Sequence, residues 1–286
     1  MENSFSFNVK LHKYARTDMY IRVYNDVDVI ISNFVDAAGN NITDLSTLDL
    51  SESSKFDMSL TPPTNVNDVL VYQGKFNDDY ELDGVTRLPR WLRIKANRYC
   101  EFTIEIAKKS RIRYIDTPSF FSEWDLSMFD STFTGLHQLY ICGRVTGNTS
   151  SLVNCPTLKY LSIMTHTVEF SPANLGNVEN FSISPHEFDY PKNVSPVFNV
   201  ADIVTTNNIA HIKKFSLGGI YRVPLNGITG HLQSLTGLTL LEKLYITYTK
   251  VYPESANKDD YFSGWTALTS FTYSHNSPNL ITGGQS

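Results

Sequence analysis

The chain has 286 residues, enough for one large domain or two ordinary ones, with 41% hydrophobic but only 19% charged residues. Its net charge of −5 leaves no phosphate-neutralising surplus, and the densest cationic cluster, Lys108, Lys109, Arg111 and Arg113, reads as a solvated face. Nucleic acid is therefore excluded as the main partner, and no run of about 18 apolar residues offers a helical membrane span.

Asn, Ser and Thr fill the place of the missing charges, and aromatic residues reach 13%. Such an amide- and tyrosine-rich composition suits extracellular or virion surfaces, and it also suits long β-rich edges. The cysteines, Cys100, Cys142 and Cys155, are too few and odd in number for a disulfide framework. They read as buried packing thiols in a chain that folds in a reducing interior. The segment Met1 to Lys10 lacks the basic start and apolar core of a secretory signal. The expectation is synthesis in the cytoplasm without standard export.

In chain order, Phe5, Phe7, Val9 and Leu11 alternate with polar residues, as in a half-buried strand. Further strands are expected over Tyr20 to Val23, Val27 to Ile31, Phe56 to Leu60, Val69 to Tyr72, Trp91 to Ile94 and Phe102 to Ile106. Turn-rich pieces separate them: Ala38 to Asn41, Thr61 to Thr64, Asn77 to Asp79 and Asp83-Gly84. This punctuation predicts an antiparallel sandwich or sheet over residues 1–107, with no long helix.

From residue 108 the pattern changes. An apolar triplet with two and then one intervening residues recurs: Leu136, Leu139, Ile141; Leu158, Leu161, Ile163; Val178, Phe181, Ile183. It continues as Ile212, Phe215, Leu217; Leu241, Leu244, Ile246; and Leu268, Phe271, Tyr273. The steps are 22, 20, 34, 29 and 27 residues, the period range of a solenoid whose units bury their apolar edges by stacking. Ile112 and Ile115 lie 24 residues before Leu136 and Leu139 and read as a degenerate first copy. Phe102, Ile104 and Ile106 are expected to cover the first open edge.

Return segments should lie between the copies. Ile228-Thr-Gly-His-Leu232 with Leu235-Thr-Gly-Leu238 reads as a short helix or 3₁₀ turn, and Val145-Thr-Gly147 resembles it. The long step carries an insertion around Pro191 to Phe198, and Ile281-Thr-Gly-Gly284 falls where a new return should begin.

The triplets resemble those of leucine-rich repeats, and Leu152-Val-Asn-Cys-Pro-Thr-Leu158-Lys-Tyr-Leu161 is similar to the corresponding stretch of BspA-like bacterial repeats. The resemblance spans residues 112 to 286; the family's Asn or Cys after the third apolar residue is irregular here. It implies a right-handed coil lined by a parallel sheet that binds proteins or glycans. A repeat chain with its own β-rich amino domain also looks like bacteriophage structural or fibre proteins.

Inward-facing triplets force the intervening residues outward. One expected row is Gln138, Tyr160, Asn180, Lys214, Lys243 and Ser270. The next is Tyr140, Ser162, Ser182, Ser216, Tyr245 and Thr272. The candidate binding residues are Gln138, Tyr140, Tyr160, Asn180, Lys214, Lys243 and Tyr245; the same rows are equally compatible with solvated sheet positions.

Catalytic signals are sparse. There is no nucleophile elbow, P-loop or dinucleotide-binding glycine motif. His12, His137, His166, His186, His211, His231 and His275 stand singly, without metal-ligand spacing. Asp78-Asp79 and Asp259-Asp260 lack the rest of a calcium loop, and Glu123 with Asp125 lacks a glycosidase groove signature. Trp124 and Trp265 sit at core spacing, although tryptophans also serve as sugar platforms.

The expected fold is thus mainly β, an antiparallel domain over residues 1–107 followed by a leucine-rich-repeat solenoid over 108–286. The expected role is noncatalytic, without cofactor or metal. A bacteriophage virion component, assembled in the host cytoplasm, would use the chain for particle assembly or for attachment to a host-surface glycan or protein, with oligomerisation. The alternatives are a bacterial repeat adhesin at the cell surface, a cytoplasmic interaction scaffold, or a carbohydrate-active enzyme.

Overall fold

A computed structural model of the chain describes residues 4–11, 20–23, 29–42, 56–61, 70–76, 90–92, 100–106, 109–116, 121–165, 170–172, 174–185, 196–219, 224–254, 264–274 and 281–283. The protein is mainly β, with antiparallel and parallel sheets. Residues 1–123 with 132–142 make one compact unit, and 124–131 with 143–286 make the other.

The first unit holds β1 (Phe5–Leu11), β2 (Tyr20–Val23), β3 (Val29–Val35), β4 (Phe56–Thr61), β5 (Leu70–Phe76), β6 (Arg90–Leu92), β7 (Cys100–Ile106) and β8 (Ile112–Asp116). The start of β9 (Phe121–Asp125) and of β10 (Gln138–Asn148) also belongs to it. Every strand expected from the alternation is present. Antiparallel pairing runs β4-β5-β3-β7-β1-β9. Strand β3 runs on past its expected end, through a register irregularity between Ser32 and Val35 where Asn33 has φ 58°. The Asn33 amide donates to Thr103 Oγ1, which donates to Asn8 Oδ1, linking β3, β7 and β1. The expected turn at Ala38 to Asn41 is also present, organised by Asp36, whose Oδ1 accepts from the Ala38 and Asn40 N–H groups at 2.9 Å.

One detail of this unit differs from expectation. Strand β7 pairs with β1 and β3, so it does not cover the repeat strands. That place is taken by β2, antiparallel to β8 through Ile21 and Ile115, with β6 on its other side. Strand β8 pairs parallel to β10, Ile115 opposite Leu139, which matches the 24-residue offset read from the sequence. The core of this unit is aromatic at one end, where Phe5 meets Phe133 edge-on at 5.1 Å.

The second unit contains the rest of β10, then β11 (Tyr160–Thr165), β12 (Phe170–Ser171), β13 (Asn180–Ser184), β14 (Phe198–Asn199) and a one-turn helix α1 (Thr206–Ile209). It continues with β15 (Lys214–Gly218), β16 (Leu225–His231), β17 (Lys243–Thr247), β18 (Thr249–Tyr252), β19 (Ser270–Ser274) and β20 (Ile281–Gly283). Strands β11, β13, β15, β17 and β19 form one parallel sheet. Tyr160 pairs with Asn180, Asn180 with Lys214, Lys214 with Lys243, and Lys243 with Ser270, so the ladder offsets of 20, 34, 29 and 27 equal the sequence steps. The triplet residues of these strands are all buried, none above 4% exposure. Phe181 and Phe215 stack at 5.8 Å within the middle row. A second parallel sheet runs β14-β16-β18.

The returns use a recurring device. Short 3₁₀ turns over Leu126–Met128, Thr149–Asn154 and Val200–Ile203 are each opened by an Asx side chain, from Asp125, Asn148 and Asn199 respectively. The expected return at Leu232 is a 3₁₀ turn over Leu232–Gly237. Gly147 and Gly230, from Val145-Thr-Gly147 and Ile228-Thr-Gly230, have φ of 90° and 117°. A Cβ on Gly147 would press on Asp125 Oδ1, and one on Gly230 would collide with Asn199 Oδ1. Each glycine thus lies against the capping residue of the preceding turn.

Amide and hydroxyl side chains join successive returns. Asn208, fully buried, accepts from Leu175 N–H at 2.9 Å and donates to Ile203 C=O at 2.7 Å. Ser151 donates to Leu126 C=O at 2.6 Å, and Asn177 to Pro156 C=O at 2.9 Å. Part of the amide-rich composition therefore serves internal backbone satisfaction. The segment at Ile281 does not begin a new return: β20 folds back antiparallel on β19, Tyr273 opposite Ile281. Backbone pairing there satisfies an edge that a further parallel strand would otherwise have to cover.

Trp124 and Trp265 are core residues, 1% and 5% exposed. Cys142 and Cys155 are buried free thiols, and Cys100 lies in β7.

Candidate functional site

The outer face of the five-stranded parallel sheet is built by alternation. With Leu161, Phe181, Phe215, Leu244 and Phe271 turned inward, the residues on either side of each point outward. Tyr160, Asn180, Lys214, Lys243 and Ser270 form one ladder row, and Ser162, Ser182, Ser216, Tyr245 and Thr272 the next. Tyr160, Lys214, Lys243 and Tyr245 are exposed, and Asn180 is half-buried. Of the candidates, Gln138 and Tyr140 lie on β10 within the first unit, opposite Tyr114 and Asp116 of β8.

A third row, at the first variable position of each copy, was not singled out from the sequence. It reads Lys159, Glu179, Lys213, Glu242 and Thr269. Each carbonyl in it, from Lys159 to Glu242, accepts two N–H groups of the following copy, as when Lys213 and Lys214 N–H both meet Glu179 C=O at 2.8 and 3.0 Å. Lys159 and Lys213 both reach Glu179, each at 2.9 Å. Hydrogen bonds from Lys213 and then Lys159 hold the Glu179 carboxyl below the usual carboxylate range, and Glu179 in turn raises Lys213. The available signal was the alternation of sign immediately after each leading aliphatic residue.

Small side chains floor the face between its larger ones. Ser182 donates to Ser162 Oγ at 2.7 Å. Beside Ser216, the Tyr245 ring leans toward Gly218: its Cε1 lies 3.6 Å from where a Gly218 Cβ would be.

Other candidate chemistry is absorbed by structure or lies elsewhere. Asp125, close in sequence to Glu123, accepts from Ser127 N–H as a cap. His137 packs edge-on against Tyr114 at 6.2 Å. Among the described residues, no group of three His, Cys, Asp or Glu side chains converges on a metal site, and no helix is long and apolar enough to cross a membrane. Asp78-Asp79, Asp259-Asp260, His12, His166, His186, His275 and the insertion from Pro191 to Ser195 lie outside the described residues.

These features define a mainly β protein whose in-register parallel sheet presents a polar, tyrosine- and lysine-bearing face. No protein-family model, curated protein or solved structure matches the chain.

Proposed function

We propose that this is a noncatalytic binding or structural protein whose parallel strands form a short leucine-rich-repeat solenoid of the BspA-like bacterial or phage type. The observation that carries this reading is the equality of ladder offset and sequence step across four successive steps, joining five copies. One unit per strand, each stacked on its neighbour, leaves a broad outer face free for a partner.

Within that class the composition favours a bacteriophage virion component for particle assembly or host-surface attachment, with residues 1–107 docking or capping and 108–286 carrying the repeats. The low charge and the polar, tyrosine-bearing face support this use. The test is quantitative mass spectrometry of purified particles combined with immunogold microscopy. Stoichiometric chain on the particle is expected. Chain confined to a bacterial envelope would replace the virion reading with that of an adhesin, and turnover of an oligosaccharide abolished by one carboxylate change would replace both.

A further inference from the structure

Lys214 and Lys243 are exposed and sit directly opposite each other in register. Neighbouring strands are about 4.8 Å apart, and like charges so placed repel. In the adjoining row the repulsion is neutralised, because Glu179 lies between Lys159 and Lys213. Among the described residues, no carboxylate pairs with Lys214 or Lys243. Two exposed lysines thus stand opposite each other on one face of the sheet, with no carboxylate paired to either among the described residues.

Their surroundings are specific. Tyr245 follows Lys243 on the same face, and Tyr160 stands at the far end of the lysine row; each is 42% exposed. Ser182 and Ser216 supply hydroxyls between them. Exposed phenol rings accept the C–H faces of pyranose rings, and hydroxyls bond to their oxygens. The strand repeat, about 4.8 Å, is close to the length of one sugar ring along a polysaccharide.

We propose that this face binds a carboxylate-bearing polysaccharide, with uronate-type carboxylates at Lys214 and Lys243 and sugar rings against Tyr245 and Tyr160. This rests on reading the face as a binding surface and names its ligand class. Poly-glutamate would meet the lysines equally but carries no pyranose C–H face for the two tyrosines.

The test measures binding of the full chain to immobilised polygalacturonate, to neutral dextran and to poly-glutamate. Expected is binding to polygalacturonate that weakens as salt rises, with none to dextran. The double variant K214Q/K243Q and the single variant Y245A each lower affinity about tenfold or more, with the thermal transition unchanged. Polygalacturonate binding that survives K214Q/K243Q overturns the proposal. So does a Y245A variant that binds like the parent, or poly-glutamate bound as tightly as polygalacturonate. Failure here leaves the location of the chain on a particle untouched, and absence from a particle leaves polygalacturonate binding untouched, so the two readings fail separately.

Discussion

Glu179 receives an ammonium from each neighbouring strand, and its protonation is therefore coupled to folding. Its folded carboxyl is held below the ordinary range, so the unfolded chain binds more protons over the interval between the two values. The contribution is present above the ordinary carboxylate range and lost as pH falls through the depressed folded value. Lys213, raised in the folded state, keeps its share until strongly alkaline pH. Glu179→Gln should lower the thermal midpoint at neutral pH by about 1–3 °C, since the pairs are partly solvated. The difference should vanish in acid; a gap that persists there would show that charge is not its source. At the same scale, Gly230→Ala should cost about 2–3 kcal/mol, combining left-handed strain with displacement of the Asn199 cap. Gly39→Ala, also at positive φ but with nothing within 4 Å of its added Cβ, should cost only about 1 kcal/mol. Equal losses in urea titrations of the two variants would contradict the packing of Gly230 on its cap.

Among elements, β20 closes one side of the parallel sheet by backbone pairing. Ending the chain after Ser274 should expose the β19 edge and produce concentration-dependent association, read by light scattering after size-exclusion chromatography. A truncated chain that stays monomeric at high concentration would remove this role from β20. The aliphatic triplets and the strands of the first unit were legible because alternation and spacing report burial directly: Leu158, Leu161 and Ile163 had no other way to be hidden together. The pairing partners were not. Strand β2 is legible as a strand, yet nothing in Tyr20 to Val23 names Ile115 as its neighbour. Likewise Ile281-Thr-Gly has the composition of a return, and only its pairing partner turns it into an antiparallel strand. The exposed rows were readable from strand alternation, whereas the Lys159–Glu179–Lys213 pairs emerged from the ladder, which brings residues 20 and 34 apart within reach.

For the molecule as a whole, stability of the parallel sheet is a sum over neighbours. Phe215 lies between Phe181 and Leu244 in the buried middle row. Phe215→Ala should cost about 3–5 kcal/mol, with hydrogen-exchange protection falling in β13 and β17 as well as in β15. A loss under about 1 kcal/mol, or one confined to β15, would mean that the strands do not depend on one another for burial.

By itself the amino-acid sequence determined which side chains are buried, which are turned outward and where the chain repeats, because apolar periodicity is a local record of the water-excluded face. Tertiary structure alone decided which strands close each edge, which glycines lie beneath a capping side chain and which charges meet. Those outcomes depend on residues far apart in the chain, and no local pattern encodes the partner.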